Sequence, residues 1–160
     1  MAWTRADKIN TLIACTALVT ALAPPGRSLW VYEHRPVAAI DHPDDESRSA
    51  GPTVAVDGTA ERIPSDSDLW LVIRSDGRWY PVERCQPGRN GRWSFRDDDV
   101  HLGGPKEKGL YVLSVYLAGP SQTGEFAQFV NGQQQSKDSG LASLPDGIKL
   151  LATRTVNRVS

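Results

Sequence analysis

Two apolar runs about a single dipeptide constrain this chain more than any other feature: residues Leu69–Tyr80 read LWLVIRSDGRWY, with Asp76-Gly77 between them. Asp-Gly flanked by β-branched and aromatic residues signals a two-residue hairpin, because both turn positions need positive φ. The first run is apolar at Leu69, Leu71 and Ile73 and again at Trp70 and Val72. That pattern predicts a central strand covered on both faces. In the returning run, Arg78–Glu83, Pro81 has no N–H to give a ladder. An edge strand or a bulge is therefore expected there.

Elsewhere the chain alternates short apolar stretches with turn residues. Val37–Ile40 is expected as a first strand, Asp41–Gly51 as an acidic loop, and Thr53–Thr59 as a strand with Val54 and Val56 on one face. Ala60–Asp68 is a loop by composition, and Asn90-Gly91 marks a second tight hairpin turn leading into Arg92–Phe95. Val100–Leu102 continues that region. Leu110–Ala118 is the second long apolar run, with Tyr111, Leu113, Val115 and Leu117 on one face, and should pack near Leu69–Arg74. The β rhythm then breaks. Phe126, Phe129 and Val130 fall at helical spacing, with Thr123 as N-cap, which predicts a helix over Glu125–Gln135 across an open end of the sheets. Ile148–Val159 supplies the last strand.

The N-terminal 32 residues differ in character. Ile9–Ala23 is uncharged and mostly apolar. As a helix it spans about 22 Å, short of the ~30 Å hydrocarbon core of a bilayer. Leu29–Tyr32 could extend it past Pro24-Pro25-Gly26-Arg27, with Trp30 and Tyr32 suited to an interface. An uncleaved single-pass anchor is the preferred expectation, with membrane contact through residues 9–32 and the β-domain outside the cytoplasm. A cleaved signal peptide, which would make the protein secreted, is the alternative: Ala21-Leu22-Ala23 fits the cleavage pattern, but Pro24 would follow the cut. A buried soluble helix is the third. The expected organisation is 1–32 as hydrophobic segment, 33–52 as first strand and linker, and 53–160 as β-domain.

About seven strands with frequent turns is the pattern of an all-β, immunoglobulin-like β-sandwich, here with one short helix before the last strand. Trp70 on the third strand would stand in place of the core tryptophan. The paired cysteines of antibody-type domains are missing, since the chain has only Cys15 and Cys85. Over residues 50–158 the run GTA…LWLVIRSDGRWYPV…NGRWSF…VHLGG…GLYVLSVYLA resembles bacterial immunoglobulin-like accessory domains. Such domains often lie behind a membrane helix or on larger surface proteins, and the resemblance implies binding or display without a defined activity.

An aromatic-basic band is the candidate ligand or partner surface: Trp79, Tyr80 and Trp93, with Arg78 and Arg92, among Arg74, Arg84, Arg89 and Arg96. Planar rings and guanidiniums could stack sugars or bases and contact anions; core tryptophans with a solvated charged face are the other reading of the same residues. Asp76, Glu83 and Asp97–Asp99 interleave with them, and the chain carries a net charge of −1, so nucleic acid is not an expected partner. Neither Asp97–Asp99 with His101 nor His34 and His42 with Asp44-Asp45 has metal-ligand spacing. No nucleophile elbow, phosphate loop, zinc helix or dinucleotide fingerprint occurs, so neither an enzyme nor a cofactor is expected. The expectation is a non-enzymatic binding or sensing module acting through protein–protein contact. A carbohydrate-binding module on Trp79, Tyr80 and Trp93, or a structural spacer, is the alternative.

Overall fold

A computed structural model describes residues 35–44, 47–49, 51–95, 100–103, 108–133 and 140–159. The anticipated N-terminal hydrophobic helix lies outside them. The sheets belong to a unit spanning Pro36–Ser160. Among the described residues no helix is long and apolar enough to cross a membrane.

Among the described residues eight strands form two sheets. They are β1 (Val37–His42), β2 (Ser47–Ser49), β3 (Val56–Glu61), β4 (Asp68–Ser75), β5 (Arg78–Cys85), β6 (Arg92–Phe95), β7 (Gly109–Ala118) and β8 (Lys149–Arg158). One helix, α1 (Pro120–Gln133), stands between β7 and β8. The smaller sheet has the order β1-β3-β6 and the larger β2-β8-β7-β4-β5. Neighbours are antiparallel, save for the short β2, which runs parallel to β8.

The anticipated central hairpin is present. Asp76 and Gly77 take φ of 50° and 73°, the two left-handed residues of a type I′ turn, which suits the right-handed twist of the strands. β4 lies between β5 and β7, and Leu69, Trp70, Leu71, Val72 and Ile73 are all buried. Pro81 satisfies both expectations: β5 is an edge strand, and its register slips where Leu71 and Val72 face Glu83 and Pro81. Trp79 turns its N–H and C=O outward, to Leu141. By alternation the nitrogen of Pro81 also faces outward, where no ladder partner needs its missing hydrogen.

Two apolar layers result. Between the sheets, Leu69, Leu71 and Ile73 of β4 pack with Ile40, Val56, Trp93, Phe95, Tyr111, Leu113, Val115 and Val156. On the other face of the larger sheet, Trp70 and Val72 join Tyr116, Ala118 and Phe126 of α1. Each fully buried aliphatic side chain contributes roughly 1.5–3 kcal/mol relative to exposure. The Pro36–Ser160 unit therefore stacks sheet, sheet and helix in three layers.

Several expectations need correction. α1 covers the outer face of the larger sheet and not an open end, because β4 and β7 are apolar on both faces and the outer one needs a cover. Trp70 accordingly packs under α1; the tryptophan between the sheets is Trp93. Thr123 is not the N-cap. Its N–H donates to the Gly119 carbonyl at 2.9 Å, so Gly119 caps the helix and Pro120 takes the first position, where its lost N–H costs nothing. Asn90-Gly91 closes a tight turn in which the Gly91 N–H donates to Gly88 and the Gly88 N–H to Arg92. That turn carries the chain from one sheet to the other, so β5 and β6 are not a hairpin. The loop expected over Asp41–Gly51 contains β2, and Val100–Leu102 pairs with residues 52–54 instead of extending β6.

Candidate binding surface

The side chains of the aromatic-basic band divide among three places. Trp79, on β5, is half-buried on the outer face of the larger sheet. Its ring meets Tyr116 edge-on at 6.3 Å and 79°. The Arg74 guanidinium carbon stands 4.9 Å from the Trp79 ring centroid, within cation–π range. Arg78, one residue before, is exposed and donates from Nη1 to the Gly140 carbonyl at 3.2 Å. Arg74 and Trp79 thus meet on the outer face beside the hairpin turn, whereas Arg78 alternates to the Tyr80 face, where both lie against Gly140.

Tyr80 alternates to the opposite face and packs against the inter-sheet core. Gly140 lies against its ring, where a Cβ would come within 2.6 Å. Trp93 is 3 % exposed on β6 of the other sheet. Its indole lies over Gly58, the cross-strand partner, where a Cβ would collide with the ring and with the Ala39 carbonyl. Trp93 therefore forms no exposed platform with Trp79 and Tyr80. Alternation along β5 separates those two, and the sandwich interior claims the third. Arg92 is exposed on β6, away from the β4–β5 hairpin, and its backbone N–H donates to Asn90 Oδ1 at 3.1 Å. Arg96 lies outside the described residues.

Sequence reasoning missed what holds this surface. Leu141 exchanges both backbone hydrogen bonds with Trp79, at 3.0 and 2.8 Å, laying a strap along the β5 edge. Nothing periodic in Gly140-Leu141 announces it; the one available signal is a glycine followed by an apolar residue inside a polar loop. A second contact fastens α1. The Trp70 indole donates to Thr123 Oγ1 at 3.2 Å, and Thr123 donates to Asp68 Oδ2 at 3.0 Å. Asp68 also pairs with Arg84 at 3.5 Å.

Burial pushes the Tyr116 phenol upward, partly offset by the Ser114 hydroxyl and the Arg74 guanidinium. Burial, with a smaller contribution from the Glu83 carboxylate, pushes the Cys85 thiol from 9.0 up to about 12. A thiolate population roughly a thousandfold below that of an ordinary cysteine makes Cys85 chemically quiet. Cys85 in the native protein should resist a thiol reagent at pH 8 and react fully once urea unfolds the chain. Because the folded-state value is raised, the stability it reflects is whole below pH 9 and is lost as pH rises towards 12. Wild type should accordingly exceed Cys85→Ala in stability at pH 8, and denaturation curves should show that gap narrowing above pH 9.

An open cleft of about 580 Å³ lies between Ala60–Ile63 and the Pro87–Gly91 turn. Among the described residues, no three His, Cys, Asp or Glu side chains stand close enough to hold a metal. His42 Nδ1 lies 3.1 Å from Asp57 Oδ1 at the surface. Comparison with known proteins finds no matching family model and no similar curated protein.

Proposed function

We propose that this chain is a non-enzymatic immunoglobulin-like binding module, anchored to the membrane through residues 9–32, that acts by protein–protein contact at the β4–β5 hairpin. Strand order supports the fold assignment. With β1, β3 and β6 read as strands A, B and E, and β4, β7 and β8 as C, F and G, the strand order is compatible with the immunoglobulin arrangement, β5 standing as an added C′ strand. The helix between F and G and the outward place of Trp70 are departures from that plan.

The observation that carries the functional reading is the ordered pair Arg74 and Trp79 on the outer face of the hairpin, with Arg78 held to Gly140 on the other face of the same hairpin. Trp and Arg are the side chains that dominate protein interfaces. Here their conformations are already restricted by the ring contact with Tyr116 and the bond to Gly140, so a partner orders less on binding. The cationic rim suits a partner with an acidic patch. A shared carbohydrate platform has less support, since Trp79 and Tyr80 point to opposite faces and Trp93 is buried.

The test begins with the full chain in its own cells. Alkaline washing should leave the intact chain with the membrane; a soluble chain starting near Pro24 would instead make it a secreted module. Proximity labelling with wild type and with Arg74→Glu/Arg78→Glu should then differ in a discrete set of neighbours. Identical neighbours for both chains would remove the hairpin from the interface, and retention on a glycan array would favour the carbohydrate alternative.

A further inference from the structure

We propose that α1 is a displaceable lid: it lifts from the larger sheet while the sandwich stays folded, and the aromatic face beneath then accepts another apolar helix in its place. The hairpin surface is not needed for this, and the lid would operate whatever meets Arg74 and Arg78.

The helix has little support of its own. Gly124 and Gly132 lie within it, and a Cβ at either would meet nothing within 4 Å. Neither packing nor a left-handed backbone asks for glycine there, yet each weakens the helix relative to alanine. Its first turn carries no acidic residue and its last turn no basic one, so no charge complements the macrodipole. Docking is equally narrow. Among the described α1 side chains, Phe126 alone is in the buried core, with Ala127 and Val130 only partly covered. A cleft of about 180 Å³ opens along the seam with β5, between Trp70, Val82 and Arg84 on the sheet and Ala127 and Val130 on the helix.

The sheet below keeps its strand pairing and its inner packing without this cover. β4 is hydrogen-bonded on both sides by β5 and β7, and its inner face is sealed by the other sheet. Lifting α1 would uncover Trp70, Val72 and Tyr116, which are 4 %, 0 % and 6 % exposed beneath it, beside the half-open Trp79. A weak element over an independently held sheet opens locally before the whole domain does. The occupant chemistry follows from α1 itself. It is an amphipathic helix with an aromatic residue set edge-on to Trp70, as Phe126 is at 5.4 Å and 63°. One turn earlier it carries a hydroxyl for Asp68 and the Trp70 indole, as Thr123 does.

Native-state hydrogen exchange on the full chain tests the lid. The α1 amides should exchange at least about a hundredfold faster than those of β4 and β7. Gly124→Ala should slow the α1 amides by roughly five-fold and leave β4 unchanged. A labelled peptide of residues 119–133 should bind Phe126→Ala more tightly than wild type, and wild type more tightly than Gly124→Ala. Exchange of α1 at the rate of β4 and β7 overturns the lid. Absence of peptide binding to Phe126→Ala with its sheet amides still protected overturns the replacement helix; should that variant fail to fold, the order of wild type and Gly124→Ala decides alone.

Discussion

Trp93→Ala should lower the stability of the domain by about 3–5 kcal/mol, the usual cost of emptying a buried tryptophan site. That is a large share of the roughly 5–15 kcal/mol that holds a domain of this size folded. The indole is 3 % exposed, tilts against Phe95 at 6.0 Å and lies over Gly58, so core contacts on β3 and β6 vanish with it. Trp93→Phe should cost less than half as much. Among the described residues its buried indole N–H has no hydrogen-bond partner, so the phenyl ring forfeits volume but no polar contact seen there, and an unpaired buried donor is itself unfavourable. Urea denaturation followed by circular dichroism separates the two variants by midpoint at unchanged slope. Gly58→Ala should destabilise by about 1–3 kcal/mol from overpacking. Pairing it with Trp93→Ala should not restore it, because the Ala39 carbonyl still blocks the new methyl. Full stability of Trp93→Ala would move the indole to the surface and reopen the three-ring platform.

What the sequence made legible follows from how local each signal is. Asp76-Gly77 demands positive φ from two adjacent residues, and few structures other than a tight hairpin supply it between apolar runs. The two-faced run Leu69–Ile73 correctly implied a cover on each side of β4. It could not say that one cover is a sheet and the other a helix, since burial leaves the same mark on a strand whatever buries it. That ambiguity moved Trp70 from the sandwich interior to the α1 side and α1 from an end to a face. Among the candidate site residues, alternation alone separates Trp79 from Tyr80. The burial of Trp93 between the sheets depends on β6 joining the other sheet, a long-range pairing with no local trace. The strap at Gly140-Leu141 is non-local in the same way: its partner Trp79 lies across two sheet connections.

Phe126→Ala should detach α1 and leave the sandwich standing. The phenyl ring is fully buried against Trp70, and its removal should withdraw about 3–5 kcal/mol from the docking of the helix. A 14-residue helix holding two glycines is marginal in water without tertiary contacts, so it cannot absorb that loss and remain seated. The sheet loses far less, because β4 keeps both hydrogen-bonded neighbours and its inner face. The far-UV helical signal should therefore fall and the environment of Trp70 become polar, while the strands unfold in a separate cooperative transition at higher urea. Phe126→Leu should stay close to wild type, within about 1.5 kcal/mol, since it keeps most of the apolar volume. Coincident loss of helix and sheet in Phe126→Ala, by every probe and in one transition, would make α1 an integral layer of the core. Two transitions would mean that the domain carries its cover as a separately stable part, attached to the sheet chiefly through one aromatic ring and the Thr123 hydroxyl.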